Sequence, residues 1–250
     1  MISSHLFLIK WQKTIEEKTK IKKESRAQST ILAMVSHEIK GPFQTLMNNI
    51  HLLEKKLSSN IVVKPIIRAI KTSSNQILTQ INSLIYGAEI QSGNMTICPT
   101  LINDIKSSVK NVIDTYMNQA DEKNIKLSFF SSDFIPPIFG DENRYLQIVN
   151  NLVSNAIRHT DAGAVSIQLS FQNGLLTLKV TDTGEGFPKD SIDRAFEPFS
   201  KLENQRRGGT GMGLTIVGGI VKLMKGSIHI ESEPDKGAVI SVTVPVNRAE

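Results

Sequence analysis

Four glycines lie within six positions of the chain, immediately before an apolar run that suits a helix: Gly208, Gly209, Gly211 and Gly213. Because glycine has no Cβ, it lets backbone N–H groups turn toward a ligand. The start of a helix adds unpaired N–H groups and the positive end of a dipole. The combination predicts an anion site, for example one for phosphate. An ordinary glycine-rich turn before a helix is the alternative.

A histidine stands in the segment 36–42, Ser-His-Glu-Ile-Lys-Gly-Pro, of a predicted helix. His37 falls two positions after Val35 and two before Ile39, so it points away from the apolar stripe that those residues mark. An exposed imidazole keeps a ring nitrogen for nucleophilic attack near neutral pH. Glu38 beside it can hold the proton of the other nitrogen. These residues suit a covalent acceptor, although an ordinary surface histidine gives the same pattern.

Two asparagines share one face of a helix predicted over residues 141–160. Asn151 and Asn155 are four positions apart, so their side chains are neighbours on the helix surface. Their amide oxygens could bind a hard cation such as Mg²⁺, which prefers oxygen ligands and bridges to phosphates. Arg158 and His159 could add positive donors to a polyphosphate. A polar helix face without a ligand is the alternative.

An aspartate with two nearby glycines ends a predicted strand in the segment 182–186, Asp-Thr-Gly-Glu-Gly. The carboxylate of Asp182 can accept a hydrogen bond from an exocyclic amine, while Gly184 and Gly186 leave space for a flat ring. The segment therefore suits recognition of a base. A plain exit from the strand into a turn is the alternative.

A short apolar cluster, Phe196-Glu197-Pro198-Phe199, lies between that aspartate and the glycine-rich turn. Two aromatic rings around a proline would anchor the base of a segment, roughly residues 194–210, that could close over a nucleotide. The same cluster could equally fill space in the hydrophobic core.

The histidine is carried by the first of two long predicted helices. Apolar residues spaced by threes, fours and sevens predict a helix from residue 10 to about 57, which Pro42 should bend. After a break at residues 58–60, a second stripe predicts a helix from about 62 to 91. Such a hairpin has little core of its own, so pairing two copies into a four-helix bundle would bury both stripes, and we expect a homodimer. The second stripe comprises Ile66, Ile70, Ser73, Ile77, Ile81, Leu84 and Ala88.

After Gly93 the pattern changes to alternating helices and strands. We expect a helix from Asp104 to about Asp121, with Asp104 capping its start, and a short strand over residues 126–130. Residues 164–171 and 175–182 alternate apolar and polar side chains around Asn173-Gly174, a strong signal for a hairpin turn. Residues 227–231 and 238–244 form a further strand pair. Strands grouped with helices over one face predict an α+β sandwich.

Composition excludes several classes of protein. The 250 residues are 40% hydrophobic and 21% charged, which suits packed cores rather than global disorder. The net charge of +5 arises largely from lysines within residues 10–23, a pattern that favours a solvated helix face over a nucleic-acid surface. The single cysteine, Cys98, excludes an internal disulfide, and no Cys/His cluster has zinc spacing. The apolar stretch at residues 6–9 is far shorter than the roughly 20 residues of a membrane span, and it lacks the cleavage site of a signal peptide.

In this order and spacing, the five segments resemble the H, N, G1, F and G2 boxes of sensor histidine kinases of two-component signalling. The resemblance covers residues 26–246, and five boxes in sequence are specific although each is weak alone. It implies a linker helix at residues 1–25, a dimerisation and phosphotransfer hairpin at 26–94, and an ATP-binding domain at 95–250. That domain would be an α/β sandwich of the kind shared with gyrase and Hsp90 ATPases.

The resemblance also implies catalytic roles. His37 would be the phosphorylated residue and Glu38 its acidic partner. Asn151 and Asn155 would lie on the helix that binds Mg²⁺ and ATP and would be the metal ligands.

For the nucleotide, the resemblance implies that Arg158 and His159 lie near the phosphates and that Asp182 contacts adenine. The segment before the glycine-rich turn would be a lid over ATP. The remaining nucleotide-binding positions are Gly184, Gly186, Gly209, Thr210, Gly211, Gly213 and Leu214.

One position departs from the family pattern. Four positions after the histidine, where sensor histidine kinases have Asn or Thr, this chain has Gly41. In the family, that polar side chain is associated with positioning water to hydrolyse the phosphorylated partner. Because glycine offers no side-chain hydrogen bond, we expect a kinase with weak phosphatase activity.

Partners and location follow from the same resemblance. The phosphoryl group would pass from the histidine to an aspartate of a response regulator receiver domain, with no nucleic-acid partner. We expect a cytoplasmic protein, or the cytoplasmic part of a sensor whose membrane attachment lies in an upstream segment. Two alternatives are a catalytically silent dimeric scaffold and an ATPase of the gyrase or Hsp90 type that releases free phosphate.

Overall fold

The structure, a computed structural model, describes residue 39 and residues 41–57, 63–92, 95–188, 191–196 and 213–249. The chain divides into two compact units between Met95 and Thr96. The boundary expected from the sequence lies one residue earlier. Most of the predicted first helix, including the residues before Ile39, falls outside the described residues.

Two helices make up the described part of the first unit. Helix α1 covers residues 41–56 and helix α2 covers Val63–Ser92. Ile50 of α1 and Ile67 of α2 are both buried. The ammonium of Lys71 lies 2.8 Å from a carboxylate oxygen of Glu54, so an ion pair joins the two helices. The predicted pair of helices is confirmed over these residues.

Large apolar side chains on both helices stay exposed within a single chain. On α2, Ile66, Ile70 and Ile77 are 56%, 46% and 48% exposed. On α1, Leu46 and Leu53 are 43% and 48% exposed. Three members of the predicted stripe of α2 are therefore left uncovered by the chain that carries them.

The second unit combines strands with helices in the order expected of an α+β fold. A five-stranded sheet has the order β2-β4-β5-β7-β6; β2 is parallel to β4, and the other neighbours are antiparallel. In chain order, the elements are β1 (Thr100–Ile102), α3 (Ile105–Asp114), α4 (Met117–Glu122), β2 (Ile125–Ser131), β3 (Ile138–Gly140), α5 (Glu142–His159), β4 (Gly163–Gln172), β5 (Leu175–Asp182), a 3₁₀ turn (Asp193–Phe196), α6 (Gly213–Leu223), β6 (Ser227–Ser232), β7 (Ala238–Pro245) and β8 (Asn247–Arg248).

The core lies between one face of this sheet and the helices α5 and α6. Alternate residues of the central strands are buried, as in Ile167 of β4 and its cross-strand partner Val180 of β5. The apolar faces of the helices meet them, for example at Leu152 of α5 and Ile220 of α6. Alternation of period two in the strands and a helical stripe of period 3.6 therefore build the predicted sandwich.

The turn between β4 and β5 agrees with its prediction. Asn173 and Gly174 take φ values of 52° and 74°. Positive φ at both central residues is the requirement of a type I′ turn, which asparagine and glycine satisfy at low steric cost. The turn pairs Gln172 with Leu175 and sets the register of the whole hairpin.

Two features differ from the sequence-based expectations. The single helix expected from Asp104 to about Asp121 is interrupted, because Thr115 ends α3 and its hydroxyl bonds back to the carbonyl of Val112 at 2.6 Å. Asp104 does cap α3, accepting the backbone N–H of Ser107. A second, three-stranded sheet of order β1-β3-β8 was not expected, because its strands have only two or three residues.

A lysine holds the C-terminal end of α5. The ammonium of Lys123 donates to the carbonyls of Ile157, Arg158 and Thr160 at 2.7, 3.2 and 3.1 Å. The last carbonyls of a helix have no intrahelical partner and carry the negative end of its dipole. One cation from the loop after α4 therefore satisfies three acceptors at once.

Among the helices in the described ranges, none combines the length and the apolar character needed to cross a membrane.

We expect the Lys123→Met variant to lower the free energy of unfolding by about 2 kcal/mol, because three carbonyls lose a charged donor while the aliphatic stem is largely kept. Urea denaturation followed by circular dichroism measures the change. Lys126→Met, which alters an exposed lysine of β2, is the control and should unfold close to the wild type. Equal midpoints for the two variants would contradict the proposed role of Lys123.

Candidate functional site

Helix α5 presents the two predicted asparagines on one half-buried face. The amide nitrogen of Asn151 donates to the backbone carbonyl of Gln147 at 2.8 Å. This bond assigns the nitrogen and the oxygen of the amide, so the oxygen of Asn151 is turned away from the backbone of α5 and toward Gly213. The oxygen of Asn155 lies 3.5 Å from a guanidinium nitrogen of Arg158.

The start of α6 lies directly against this pair. A Cβ atom placed on Gly213 would be 3.1 Å from the amide nitrogen of Asn155 and 3.5 Å from the amide oxygen of Asn151. A Cβ at this distance would require the Asn155 amide to shift by a few tenths of an ångström, so glycine favours the close approach. Leu214 follows in the first turn of the helix and is half-buried. The structure thus brings Gly213 and the asparagine pair, which are about sixty residues apart in sequence, into one site.

The donor atoms at this site fit Mg²⁺ held together with phosphate. The amide oxygen of Asn151 is a hard ligand of the type that Mg²⁺ prefers, and so is that of Asn155, which also accepts a hydrogen bond from Arg158. Within the described ranges, no group of three or more histidine, cysteine or acidic side chains could hold a metal ion. A site with so few protein ligands suits an ion that takes its remaining ligands from substrate phosphates and water.

Asp182 ends β5 with its carboxylate partly satisfied by the protein. One carboxylate oxygen, Oδ1, accepts the backbone N–H groups of Gly184 at 2.9 Å and Ala238 at 3.3 Å. The other oxygen makes no hydrogen bond to the described residues and remains an acceptor for a ligand. Burial raises the pKa of Asp182 above its ordinary value, and the two N–H groups act in the opposite direction.

A cleft of about 570 Å³ borders Asp182 on the side of β6 and β7. Ile192, Ser232 and Ala238 form part of its wall, and Lys236 lies at its rim. Gly186, on the same side, has φ of 57° and lies against the backbone of residues 233 and 237. The carboxylate therefore borders open space with more than enough room for a purine ring, but no described residue of α5 or α6 lines this cleft.

The two residues at the end of α5 have partners within the protein. Arg158 is half-buried near Tyr116, and burial lowers the pKa of its guanidinium. The imidazole Nδ1 of His159 lies 2.6 Å from a carboxylate oxygen of Glu185. Their expected place near phosphates stays a prediction.

Five predicted site residues lie outside the described residues: His37, Glu38, Gly209, Thr210 and Gly211. The predicted phosphoacceptor and most of the glycine-rich turn therefore rest on the sequence alone.

The structure adds two residues near the candidate site for which the sequence predicted no role. Glu185 belongs to the Asp-Thr-Gly-Glu-Gly segment, but its contact with His159 joins residues 26 positions apart, which no local pattern reveals. Ala238, whose N–H supports Asp182, follows a turn that ends in Gly237. The glycine in the sequence indicates a turn, but the position of that turn beside Asp182 depends on the order of strands in the sheet.

Two family models match the chain. Residues 27–93 match the His Kinase A (phospho-acceptor) domain. Residues 140–248 match the Histidine kinase-, DNA gyrase B-, and HSP90-like ATPase. The first range contains His37, and the second contains both asparagines, Asp182 and the glycine-rich turn.

Similar proteins carry names of the same kind. The Sensor histidine kinase RcsC of Escherichia coli is 29% identical over 247 residues, 97% of this chain and 26% of that protein. The Autoinducer 2 sensor kinase/phosphatase LuxQ of Vibrio parahaemolyticus is 30% identical over 240 residues, 91% of this chain and 28% of that protein. The chain thus spans about a quarter of the length of these curated relatives.

A solved structure with a similar fold is full-length ShkA in complex with AMPPNP. It is 29% identical, superposes with a TM-score of 0.68, and is matched over 87% of this chain and 46% of that chain.

The raised pKa of Asp182 predicts a conflict between stability and ligand binding. The unfolded chain releases this proton near the ordinary value of 3.8, below the pKa of the folded chain. Stability is therefore lost as pH rises from that value through the folded pKa, and the loss persists at pH 7. Asp182→Asn keeps an acceptor for both N–H groups without the buried charge. It should unfold at higher urea concentration than the wild type at pH 7, and lose this advantage below about pH 4.

The same variant should bind ADP about tenfold more weakly or worse, because an amide is a poorer acceptor than a carboxylate. Calorimetric titration with ADP measures the effect. Asp133→Asn, at an exposed aspartate, serves as the control for both measurements. A variant less stable than the wild type at pH 7, or one with unchanged affinity for ADP, would contradict the assignment of Asp182.

Proposed function

The chain belongs to the sensor histidine kinases of two-component signalling, and we propose on that premise that it phosphorylates its own His37 from ATP. The phosphoryl group then passes to an aspartate of a response regulator receiver domain. The observation that carries the proposal is the close approach of Gly213 to Asn151 and Asn155, which would form a phosphate and cation site at the start of α6.

The second unit would hold ATP between α5, α6 and the end of β5. The unpaired oxygen of Asp182 accepts the exocyclic amine of adenine, and the N–H groups at the start of α6 favour the phosphates. Asn151 and Asn155 would hold Mg²⁺, which supplies positive charge against the triphosphate. The AMPPNP complex of the similar protein ShkA supports binding of an adenine nucleotide by this fold.

At the acceptor, a ring nitrogen of His37 forms a bond to the γ-phosphorus while the bond between that phosphorus and the bridging oxygen breaks, and ADP leaves. Glu38, the next residue in sequence, would hold the proton on the other ring nitrogen. Catalysis of this kind is mainly positioning and neutralisation of phosphate charge, so the chain's task is to bring the two groups together.

The exposed stripes of α1 and α2 support a homodimer. Leu46, Leu53, Ile70 and Ile77 each leave more than two fifths of their surface exposed within one chain. Burial of such side chains is a principal source of stability in helical bundles. A second copy of the same hairpin supplies a matching apolar face, which gives the four-helix bundle expected from the sequence.

We expect labelled ATP to give the wild type an acid-labile, base-stable label, and the His37→Gln variant to acquire none while still binding ADP. Gel electrophoresis followed by autoradiography provides the readout. His51→Gln is a matched control, because His51 is an exposed histidine of α1. It should be labelled like the wild type.

A label of equal strength on His37→Gln would contradict the assignment of the acceptor. Release of free phosphate without any labelled protein would favour the gyrase-type or Hsp90-type ATPase. Binding of ADP with neither product would favour the silent scaffold.

Gly41 leads to a prediction about phosphatase activity. A Cβ atom on Gly41 would have no neighbouring heavy atom within 4 Å, so α1 has space for a side chain there. We expect the wild type to dephosphorylate its receiver slowly and Gly41→Asn to do so about tenfold faster or more, since a positioned polar group assists attack by water.

Gly41→Ala is the control for this experiment, because it restricts the backbone in the same way without adding an amide. Phosphate release from a phosphorylated receiver gives the rates. Rapid hydrolysis by the wild type with no gain in Gly41→Asn, or an equal gain in Gly41→Ala, would contradict the role given to this position.

A further inference from the structure

Two contacts join His159, the last residue of α5, to Glu185 in the loop after β5. The imidazole Nδ1 lies 2.6 Å from a carboxylate oxygen of Glu185, and the backbone N–H of Glu185 donates to the carbonyl of His159 at 3.1 Å. Both side chains are mostly buried, with 19% and 31% of their surfaces exposed. Partial burial strengthens such a pair relative to one on the open surface.

The residue before Glu185 makes the contact between loop and helix direct. A Cβ atom on Gly184 would lie 2.3 Å from the carbonyl oxygen of His159, closer than two such atoms can approach. Glycine alone therefore allows the loop to rest on the last turn of α5. The loop has little freedom to slide along the helix while this contact holds.

The same loop sets the position of the Asp182 carboxylate. The backbone N–H of Gly184, which rests on α5, is the closer of the two donors to that carboxylate. The charges of His159 and Glu185 also act on it in opposite directions: the imidazole lowers the pKa of Asp182, and the Glu185 carboxylate raises it. Loss of one partner would leave the other to act alone.

We propose that His159 and Glu185 form a positioning pair, which holds the loop after β5 against α5 and thereby aims the Asp182 carboxylate at the amine of adenine. This inference rests on the proposed binding of ATP but adds a specificity determinant to it. In this role His159 acts through the loop rather than through the phosphates. Its side chain therefore governs which base is bound more than how tightly the phosphates are held.

A pair of ligands separates the two roles. ADP and inosine diphosphate carry the same phosphates, but inosine diphosphate has an oxygen in place of the exocyclic amine that Asp182 would bind. A contact from His159 to phosphate would contribute equally to both ligands. A contact that aims Asp182 at the exocyclic amine contributes more to ADP, because inosine diphosphate offers only its N1–H at that edge of the base.

We expect His159→Phe to weaken ADP binding about tenfold, the effect typical of one lost charge-assisted hydrogen bond, and to change binding of inosine diphosphate less than about threefold. Calorimetric titration of the full chain with each nucleotide and Mg²⁺ measures both. Equal weakening of the two ligands, or unchanged binding of both, would overturn the inference.

A rescue variant separates positioning from packing. The amide nitrogen of Asn stands near the place of Nδ1 and can donate to Glu185, so His159→Asn should restore ADP affinity to within about threefold of the wild type. A result as poor as that of His159→Phe would overturn the inference. Glu185→Leu breaks the pair from the other side and should reproduce the loss of preference for ADP, which keeps the test decisive if His159→Phe does not fold.

A second histidine–glutamate pair of the same unit provides the matched control. His229 and Glu231 of β6 are 3.0 Å apart and largely exposed; Glu231 lines the cleft beside Asp182, but His229 does not. His229→Phe should leave the affinities for both nucleotides unchanged. A loss of ADP preference in this variant equal to that in His159→Phe would show that the effect is not specific to the pair at α5.

Failure of this inference is distinguishable from failure of the proposed function. If the wild type is labelled on His37 and binds ADP, and the His159→Phe variant keeps the full preference for ADP, the inference alone is overturned. If the wild type binds ADP in preference to inosine diphosphate but is never labelled, the proposed kinase activity is overturned. The titrations then still decide the role of His159.

Discussion

The second unit depends on how the C-terminal end of α5 is satisfied. A helix leaves its last carbonyls without intrahelical partners, and a buried end needs other donors. Here Lys123 supplies three hydrogen bonds, the hydroxyl of Thr160 supplies one to Ala156, and the backbone of Glu185 supplies one to His159. The helix that carries the asparagines and the loop that follows Asp182 therefore share one anchor.

The proposed ligand-binding role accounts for a half-buried charged group that is unfavourable for folding. The half-buried carboxylate of Asp182 weakens the fold relative to an apolar residue, and it leaves an acceptor for a ligand to complete. The carboxylate keeps one oxygen without a partner among the described residues. Asn151 keeps its oxygen turned outward, because its nitrogen is committed to the helix backbone. Binding can thus supply what folding leaves unsatisfied.

Local patterns in the sequence predicted most of the helices and strands, but they did not predict which residues distant in sequence come into contact. The stripe of α5, the alternation of β4 and β5 and the Asn173-Gly174 turn all express periodicities that a short window contains. The strands β1 and β8 are too short to show alternation, and the break at Thr115 depends on one hydroxyl. The positions of Asn151, Asp182 and Gly213 were predicted as a family pattern, but the contact of His159 with Glu185 required the folded chain.

The central claim is that a nucleotide held by the second unit phosphorylates a histidine of the first. Phosphorus NMR of the full chain during incubation with ATP and Mg²⁺ tests this most directly, because phosphohistidine, inorganic phosphate and ADP give separate signals. We expect a phosphohistidine signal that grows with the ADP signal in the wild type and is absent in Asn155→Ala. A growing signal of inorganic phosphate with no phosphohistidine at any time would contradict it.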